Sequence, residues 1–299
     1  MIVALTGATG FVGAATLDRL LARGHLVRSL TRRDQPAREG VSWIRGRLEK
    51  EDDLARLASG ADIVLHVAGV VSGGRADFIR GNVEGTQHML AAAKSMGIRR
   101  FIHVSSLAAR EPQLSDYGRS KERGEAEVMR SDLDWTIVRP PGVYGPGDLA
   151  IRDVFRMAKL GVVLLPPAGR VSLIHVRDLA ALLVALIECD PGRHVYECDD
   201  GVAGGYSHEQ FAHLIGDAVG RKPLALHVPS FALNAAARAD MLLRRGNAKL
   251  TLDRASYLSH PDWTARAAHR PPADLWTPAI TIAQGLAETA SWYRAQGLL

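Results

Sequence analysis

The chain has 299 residues, of which 47% are hydrophobic and 23% charged, and its formal net charge at pH 7 is +5. This length is enough for one large α/β domain or for a domain with an added lobe, and the composition excludes disordered and fibrous classes. No apolar run approaches the roughly 20 residues that cross a bilayer, and the scattered basic residues form no nucleic-acid recognition motif, so we expect no nucleic-acid partner.

The cysteines and the N-terminus indicate the compartment. Cys189 and Cys198 are the two cysteines, and they provide neither a disulfide framework nor a metal-ligand spacing. The chain starts at Met1 and continues directly into an apolar run, without the basic region that opens a signal peptide. We therefore expect a cytoplasmic protein with reduced cysteines and no bound metal.

A glycine-rich turn follows the first predicted strand. The apolar run 2–5 leads into Thr6-Gly7-Ala8-Thr9-Gly10-Phe11-Val12-Gly13, and a helical pattern continues to residue 23. At this spacing the first glycine permits a sharp turn, the second lets the backbone approach a pyrophosphate, and the third lets the helix pack closely on the strand. The first N–H groups of the helix then face the diphosphate. The predicted phosphate-binding residues are Gly7, Thr9, Gly10, Phe11, Val12 and Gly13.

The second predicted strand, 27–31, ends where a dinucleotide site selects its cofactor. Sites for NAD carry an Asp or Glu here that binds the ribose 2′-hydroxyl, whereas an arginine accommodates the 2′-phosphate of NADP. In this chain Thr31 is followed by Arg32 and Arg33, and two guanidinium groups favour the phosphate. We therefore predict that NADP(H) is preferred and that NAD(H) is also usable. Two solvated loop arginines are the competing interpretation.

Strands and helices alternate along the first half of the chain. Further strands are predicted at 41–44, 62–67, 101–105 and 135–138, with helices at 51–59, 78–96 and 117–129. This alternation predicts an α/β fold with a doubly wound parallel sheet, whose ligands bind at the carboxyl ends of the strands. The alternation fades after residue 147, which indicates a smaller C-terminal substrate lobe. We expect a dinucleotide-binding core at 1–165, to which 171–190 returns, and a lobe formed mainly by 166–299.

One tyrosine has a lysine on the next helical turn. Tyr117 and Lys121 are four residues apart, a spacing that none of the other tyrosines has, and they therefore share one helix face. A free tyrosine has a pKa of about 10, which a nearby ammonium and an oxidised nicotinamide ring lower. The phenol can then donate a proton to a carbonyl oxygen as hydride arrives. An exposed pair is the alternative, but a strand ending in Ser105 and Ser106 offers hydroxyls for the same oxygen.

Six further motifs extend this pattern. They are His66-Val67-Ala68-Gly69, Asn82-Val83-Glu84-Gly85-Thr86, Val104-Ser105-Ser106, Arg139-Pro140-Pro141-Gly142-Val143-Tyr144-Gly145-Pro146, Ile174-His175-Val176-Arg177-Asp178 and Trp292-Tyr293. With the glycine turn and the Tyr-Lys pair, they resemble the short-chain dehydrogenase/reductase superfamily, extended or epimerase/dehydratase type. The resemblance covers nearly the whole chain and implies a Rossmann fold with NAD(P)-dependent oxidoreductase activity.

The resemblance also implies roles for individual residues. Tyr117 would be the catalytic acid or base, and Lys121 would bind the nicotinamide ribose and acidify Tyr117. Ser106 would polarise the substrate oxygen, with Ser105 as the second candidate, and Asn82 would position the cofactor or a proton-relay water. The other residues that the resemblance assigns to the cofactor are Leu48, Ala68, Gly69, Ser105, Pro140, Gly142 and Val143.

Two features depart from the family pattern. Where the family has Gly-Asp-Leu, with the Asp on the adenine, this chain has Gly46-Arg47-Leu48. Adenine recognition must therefore differ, and a further positive charge lies near the expected 2′-phosphate. Only ten residues separate Ser106 from Tyr117, fewer than in typical nucleotide-sugar epimerases of this type. The loop that helps to enclose a sugar nucleotide is short, which argues against such a substrate.

A predicted helix from Phe231 to Arg245 makes the C-terminal lobe apolar and basic. Such a helix suits contact with an anionic lipid surface, here the inner membrane surface, while a long-chain substrate enters; packing on the core is the alternative. The lobe favours a hydrophobic ketone, and the overall pattern is similar to bacterial enzymes that reduce the 3-keto group of sphingoid or ceramide precursors. The helix carries Phe231, Leu233, Met241, Leu242 and Leu243 with Arg238, Arg244 and Arg245, and Lys249 follows it.

Three functional hypotheses differ in class. The first is an NADPH-dependent ketoreductase, reversible as an alcohol dehydrogenase, that acts on a hydrophobic ketone such as a 3-keto sphingoid base or ceramide. The second is a nucleotide-sugar epimerase or dehydratase with bound NAD. The third is a non-catalytic NADP(H)-binding subunit resembling the complex I accessory subunits, against which the complete set Ser106, Tyr117 and Lys121 argues. A homodimer is expected if helices pair across a twofold axis, but the same apolar faces can be internal.

Overall fold

Strands and helices alternate through most of the chain. The computed structural model describes residues 1–189, 192–244 and 250–299. Its strands are β1 (Ile2–Thr6), β2 (Leu26–Thr31), β3 (Val41–Arg45), β4 (Ile63–His66), β5 (Arg100–Val104), β6 (Asp134–Arg139), β7 (Gly142–Tyr144), β8 (Val162–Leu165), β9 (Arg170–Val171), β10 (Leu173–His175), β11 (His194–Glu197), β12 (Tyr206–Ser207), β13 (Leu224–His227) and β14 (Asp262–Trp263). Its α-helices are α1 (Phe11–Ala22), α2 (Glu51–Ala58), α3 (Arg75–Phe78), α4 (Gly85–Ser95), α5 (Asp116–Arg130), α6 (Arg152–Leu160), α7 (Val176–Glu188), α8 (His208–Val219), α9 (Ser230–Arg244), α10 (Leu252–Leu258) and α11 (Ile282–Ala295).

Seven strands form one parallel sheet in the order β11-β6-β5-β4-β1-β2-β3. The order reverses between β1 and β4, which in open α/β sheets is the crevice where dinucleotides bind. The predicted α/β class with a doubly wound Rossmann sheet is therefore confirmed.

The segment 171–190, which is predicted from the sequence to return to the core, contains β10 and α7. Strand β10 pairs with β7 in a separate two-stranded sheet, helix α7 packs against α1, and β11, outside the predicted segment, adds the edge strand next to β6. Residue 190 lies outside the described residues, and the division of the chain at residue 165 stays a prediction.

Helices cover both faces of the central sheet. On one face, Leu17 and Leu20 of α1 pack with Leu182 and Leu186 of α7 against the strands. On the other face, α2, α4 and α5 contribute a second buried cluster that includes Leu57, Met89 and Val128. Because both faces of each central strand are buried, the strands consist of nearly continuous apolar residues, as is typical of parallel sheets.

Close backbone contacts hold the first turn in place. Gly7 has φ of +83°, and a Cβ on it would lie 2.8 Å from the backbone nitrogen of Ala68. A Cβ on Gly13 would lie 2.0 Å from the Gly7 carbonyl oxygen, so only glycine lets α1 approach β1 this closely. The sequence-predicted roles of the first and third glycines as turn and packing residues therefore correspond to the observed backbone.

The helix predicted at 78–96 is longer and irregular. It begins at Arg75 as α3, continues as a π-helical segment at Ile79–Glu84, and becomes α4 only at Gly85. Such wide turns inside helices are frequent at functional sites. This one contains Asn82.

The C-terminal lobe contains small sheets and its own core. Strands β12, β9 and β14 form one sheet, and β13 pairs with β8 in another. Helices α6, α8 and α11 bury Phe155, Ile215, Leu286 and Tyr293 together. The predicted helix from Phe231 is present as α9, whereas Arg245 and Lys249 lie outside the described residues. Among the described residues, no helix combines the length and apolar character that crossing a bilayer requires.

Candidate active site

The candidate site begins where α5 meets the carboxyl end of β5. Ser115 caps α5, and its hydroxyl accepts a hydrogen bond from the Gly118 N–H at 2.9 Å. A Cβ on Gly118 would lie 2.6 Å from the carbonyl oxygen of Ala108, so the first turn of α5 packs directly on the short 3-10 turn that follows β5. This contact fixes the position of Tyr117 in that first turn.

Tyr117 contacts Ser106, the serine that the sequence analysis prefers. Burial raises the pKa of Tyr117, and hydrogen bonding by the nearby Ser106 side chain lowers it by a smaller amount, so the net shift is upward. The ring of Phe78 contributes to this burial, with its centroid 5.8 Å from that of Tyr117. The net direction is opposite to the expected effect of Lys121, because desolvation of the phenol dominates. The phenol is therefore protonated near neutral pH, as a proton donor must be.

Ser105 has a different environment from Ser106. Ser105 is buried, its N–H donates to the Val138 carbonyl at 2.7 Å, and its hydroxyl has no hydrogen-bond partner among the described residues. The Ser106 hydroxyl, besides contacting Tyr117, accepts a hydrogen bond from the Ala108 N–H at 3.2 Å. Ser106 is thus the serine that the structure brings to Tyr117.

The Lys121 ammonium is buried at the end of β5. Its Nζ donates to the Val104 carbonyl at 2.8 Å. Burial lowers the pKa of Lys121 to about 8, and the carboxylate of Glu125 partly opposes this shift. A Cβ on Gly69 would lie 3.6 Å from Lys121 Nζ and 3.0 Å from Asn82 Oδ1. Gly69, Asn82 and Lys121 therefore line the same space, which a side chain at 69 would fill.

Asn82 connects the turn after β4 to α5. Its Oδ1 accepts from the Val70 N–H at 2.7 Å, and its Nδ2 donates to the Val70 carbonyl at 2.9 Å and to Ser120 Oγ at 2.8 Å. The buried amide group is thus engaged within the chain. Asn82 acts on the site by fixing the backbone at 69–70 beside Lys121.

The glycine turn leaves backbone donors for a diphosphate. Gly10 precedes α1, its N–H donates to the Gly7 carbonyl at 2.9 Å, and no side chain caps the helix. The first N–H groups of a helix have no intrahelical acceptor, so those of Phe11, Val12 and Gly13 can bind an anion. Thr9, in the same turn, is exposed. The residues at this turn therefore fit the pyrophosphate of a dinucleotide.

A cationic cavity lies at the ends of β2 and β3. Its volume is about 320 Å³, and its lining includes Arg32, Arg45, Arg47 and Lys50, with Asp53 as the acidic member. The sequence analysis predicts Arg32 and the charge of Arg47, but it does not predict Arg45 or Lys50. The parallel register pairs Arg45 with Thr31. The position of Arg45 beside Arg32 could therefore be predicted only if the pairing of β2 with β3 was known.

Arg33 is not among the residues that line this cavity. Its carbonyl oxygen accepts a hydrogen bond from the Thr31 hydroxyl at 2.6 Å, which fixes the backbone of the turn. Of the two arginines predicted to bind the 2′-phosphate, Arg32 lines this cavity and Arg33 does not.

The remaining predicted cofactor residues surround the same edge of the sheet. The Ala68 N–H donates to Thr6 Oγ1 at 3.1 Å, and the Pro140 carbonyl accepts from the Leu107 N–H at 3.0 Å. Leu48 packs beside α4, where a Cβ on Gly85 would lie 3.1 Å from its Cδ1. Gly142 and Val143 form β7 and pair with β10.

A buried ion network links helix α5 to the lobe. Arg139 binds Glu125 of α5 through two hydrogen bonds of 2.9 and 2.5 Å, and its guanidinium lies 3.6 Å from Glu197 of β11. Glu197 also pairs with Arg110 at 3.1 Å, and Arg110 donates to the Thr264 carbonyl at 2.7 Å. Burial of both carboxylates requires such pairing. The sequence contained no sign of it, because its members come from distant segments.

Lobe residues also approach Tyr117 directly. Asp253 of α10 accepts a hydrogen bond from the Asp116 N–H at 2.6 Å, which attaches α10 to the start of α5. Tyr257 of the same helix stacks on Trp263 with 4.6 Å between ring centroids. Burial raises the pKa of Tyr257, and the Tyr117 phenolate, when it forms, raises that pKa further. Aromatic side chains of the lobe therefore lie close to the candidate acid.

Comparison with known proteins agrees with this geometry. A family model described as NAD(P)H-binding matches residues 7–190. A ceramide reductase of Caulobacter vibrioides is 38% identical over 309 aligned residues, which cover 100% of this chain and 96% of that protein. The chain belongs to the NAD(P)H-binding family. Within it, the chain is an NAD(P)-dependent oxidoreductase of the short-chain dehydrogenase/reductase type.

Two further matches support the same assignment. The 4-hydroxy-2-methyl-3-oxo-4-farnesyl-3,4-dihydroquinoline-1-oxide ketoreductase of Stigmatella aurantiaca is 30% identical and covers 78% of this enzyme and 78% of its own length. The solved structure of human epimerase family protein SDR39U1 with NADPH has a TM-score of 0.76 at 20% identity, covering 97% of this enzyme and 99% of that chain. The structural likeness concerns the fold.

We predict that the Lys121 ammonium titrates near pH 8, well below its ordinary 10.5, because it is buried. The enzyme has six lysines, so 13C NMR of the lysine ε-carbons resolves the titration, and the Lys121→Arg spectrum assigns it. Glu125→Gln should move the midpoint lower, since it removes the charge that favours the ammonium. Glu127→Gln, on the same helix but paired with Arg130, is the control. A midpoint near 10.5 that Glu125→Gln leaves unchanged would contradict this account of the site.

Proposed function

We propose that this enzyme is an NADPH-dependent ketoreductase in which Ser106, Tyr117 and Lys121 act on a ketone. The observation that carries this proposal is the grouping of three side chains at the end of β5. Ser106 lies near enough to Tyr117 to lower the pKa of its phenol, and Lys121, one helical turn further on, donates from Nζ to the Val104 carbonyl at 2.8 Å. These three groups form one site at the end of β5. A plain cofactor-binding subunit has no need for them.

The proposed chemistry assigns one task to each side chain. The dinucleotide supplies the hydride that adds to the carbonyl carbon. Tyr117, whose pKa lies above the ordinary tyrosine value of about 10, is protonated near neutral pH and donates its proton to the carbonyl oxygen, so the C=O group becomes a CH–OH group. Ser106 donates a hydrogen bond to the same oxygen. Lys121, whose pKa of about 8 keeps it mainly charged at pH 7, stabilises the phenolate that remains.

NADP(H) is the preferred cofactor in this proposal. Three arginines and Lys50 line the cavity at the ends of β2 and β3, against the single carboxylate of Asp53. Asp53 also accepts hydrogen bonds from the Arg47 N–H and from Arg56, which leaves an excess of positive charge for a phosphate. Charge-assisted hydrogen bonds from guanidinium groups suit a 2′-phosphate.

We predict that Arg47→Asp weakens NADPH binding by roughly 10- to 100-fold, as the loss of one charged hydrogen bond implies. The same change should leave NADH binding within a few-fold of the native value. Binding is measured directly by nicotinamide fluorescence, so no substrate is needed. Arg33→Gln is the control, because Arg33 does not line the cavity, and it should change little. Equal affinity of the native enzyme for NADH and NADPH would contradict the proposed preference for NADPH.

The proposed substrate is a hydrophobic ketone, a long-chain keto lipid such as a 3-keto sphingoid base or a ceramide precursor. The match to a ceramide reductase over 100% of the chain supports this class, as do the stacked rings of Tyr257 and Trp263 near the acid. In this proposal the core at 1–165 holds the cofactor and the lobe encloses the apolar part of the substrate. The ten residues between Ser106 and Tyr117 leave little cover for a sugar nucleotide.

A panel assay tests the substrate class. NADPH absorbance is followed while long-chain ketolipids, sterol ketones and UDP-sugars are offered in turn. We predict oxidation of NADPH with the ketolipids and none with the UDP-sugars. Purification with a tightly held NAD, together with turnover of a UDP-sugar, would instead establish the epimerase alternative.

A further inference from the structure

A pair of parallel strands in the lobe exposes an apolar surface. Strands β8 and β13 pair in the register Leu224 with Val162 and Leu226 with Leu164. These four side chains are all exposed, whereas Val163 and Leu165, which alternate with the β8 pair, are buried in the lobe core. Parallel strands are almost always covered on both sides. We call the exposed side, defined by Val162, Leu164, Leu224 and Leu226, the outer face.

The outer face continues at both of its ends. The Leu224 N–H donates to the Gly161 carbonyl at 2.9 Å, which brings Leu160, the last residue of α6, to one end. Leu160 is 85% exposed. Past the other end, α9 starts three residues after β13, and its Phe231 is 77% exposed. An apolar surface of this extent normally marks a site of interaction.

Unpaired cations stand at the Leu160 end. Lys159 precedes Leu160 in the chain. Arg221 and Lys222 come just before Pro223, and β13 begins at the next residue. None of the three forms an ion pair within the part of the chain that the structure describes. Asp217, four residues before Arg221, is the acidic group of the same segment, so a positive excess remains. Apolar side chains flanked by lysine and arginine match a bilayer interface that contains anionic lipid.

We propose that the outer face docks on the surface of a membrane containing anionic phospholipid. The leucine and valine side chains enter the interface, and Lys159, Arg221 and Lys222 lie at the headgroups. A second copy of the chain fits this surface less well. Its own outer face would match the apolar residues, but it carries the same cations and supplies no negative charge to pair with them. The docking surface is distinct from the catalytic residues.

The outer face is connected to the candidate site. Helix α9 leaves the end of β13 and packs against α10, and Asp253 of α10 holds the Asp116 N–H, next to Tyr117. Docking therefore places the membrane beside the elements that border the catalytic acid. The use of this surface to take up substrate rests on the proposed function, while the docking itself does not.

Vesicle sedimentation tests the proposal on the full-length enzyme. We expect the native enzyme to bind vesicles of phosphatidylglycerol and phosphatidylcholine and to bind pure phosphatidylcholine more weakly. The double variant Leu224→Ser and Leu226→Ser should lose about tenfold or more in partitioning, because two apolar side chains no longer leave water. Arg221→Gln with Lys222→Gln should reduce binding to the anionic vesicles alone. Leu26→Ser with Met96→Ser, exposed residues of the core, is the matched control and should bind normally.

The outcomes separate the possible occupants. No binding of the native enzyme to either vesicle, or equal binding by the leucine double variant, overturns the proposal. A dimer in analytical ultracentrifugation that the leucine double variant dissociates, without vesicle binding, assigns the outer face to a second copy and also overturns it. NADPH oxidation with a long-chain ketone dispersed in detergent, without vesicles, is measured in parallel. Vesicle binding without any such turnover would leave the docking surface standing and reject the proposed reductase function.

Discussion

Burial of one ammonium group, that of Lys121, organises the candidate site. Taking a cation out of water is costly unless polar groups replace its hydration. Here the Val104 carbonyl accepts a hydrogen bond from it at 2.8 Å, and Glu125 lies one turn further along α5. Burial lowers the pKa values of His66 and His103, and the Lys121 charge lowers them further, so both rings stay neutral. A single positive charge therefore remains at the end of β5, next to the phenol that it is proposed to serve.

The groups that compensate the buried Lys121 charge are connected to the C-terminal lobe. Glu125 is held by Arg139, which approaches Glu197, and Glu197 in turn binds Arg110 and accepts a hydrogen bond from the Arg266 N–H at 2.8 Å. The network thus runs from the catalytic helix to the segment that carries Trp263. Because its carboxylates are buried, removal of one partner would leave a charge uncompensated. The position of α5 therefore depends on the lobe being packed correctly against it.

The sequence was sufficient for features encoded locally. The glycine spacing and the alternation of strands and helices predicted the Rossmann sheet, and the Tyr117–Lys121 spacing predicted that both residues lie on one helix, α5. Features that depend on tertiary contacts were missed. Strand β11 is short and joins the sheet at its edge, next to β6, and Arg45 reaches the cationic cavity through the register of β3 with β2. The pKa of Tyr117 rises because the effect of burial outweighs the opposing effect of Ser106. Spacing along a chain reports which residues share a helix face, but not how deeply they are buried.

The most direct test of the central claim follows a deuterium atom. The native enzyme and Tyr117→Phe are each given a long-chain ketone with NADPH that carries two deuterium atoms at C4 of the nicotinamide, and the alcohol product is analysed by mass spectrometry. The account predicts one deuterium at the carbinol carbon in the native reaction, and a rate for Tyr117→Phe lower by roughly 100-fold or more with NADPH binding retained. Native-like turnover by Tyr117→Phe, or an alcohol product without deuterium, would contradict it.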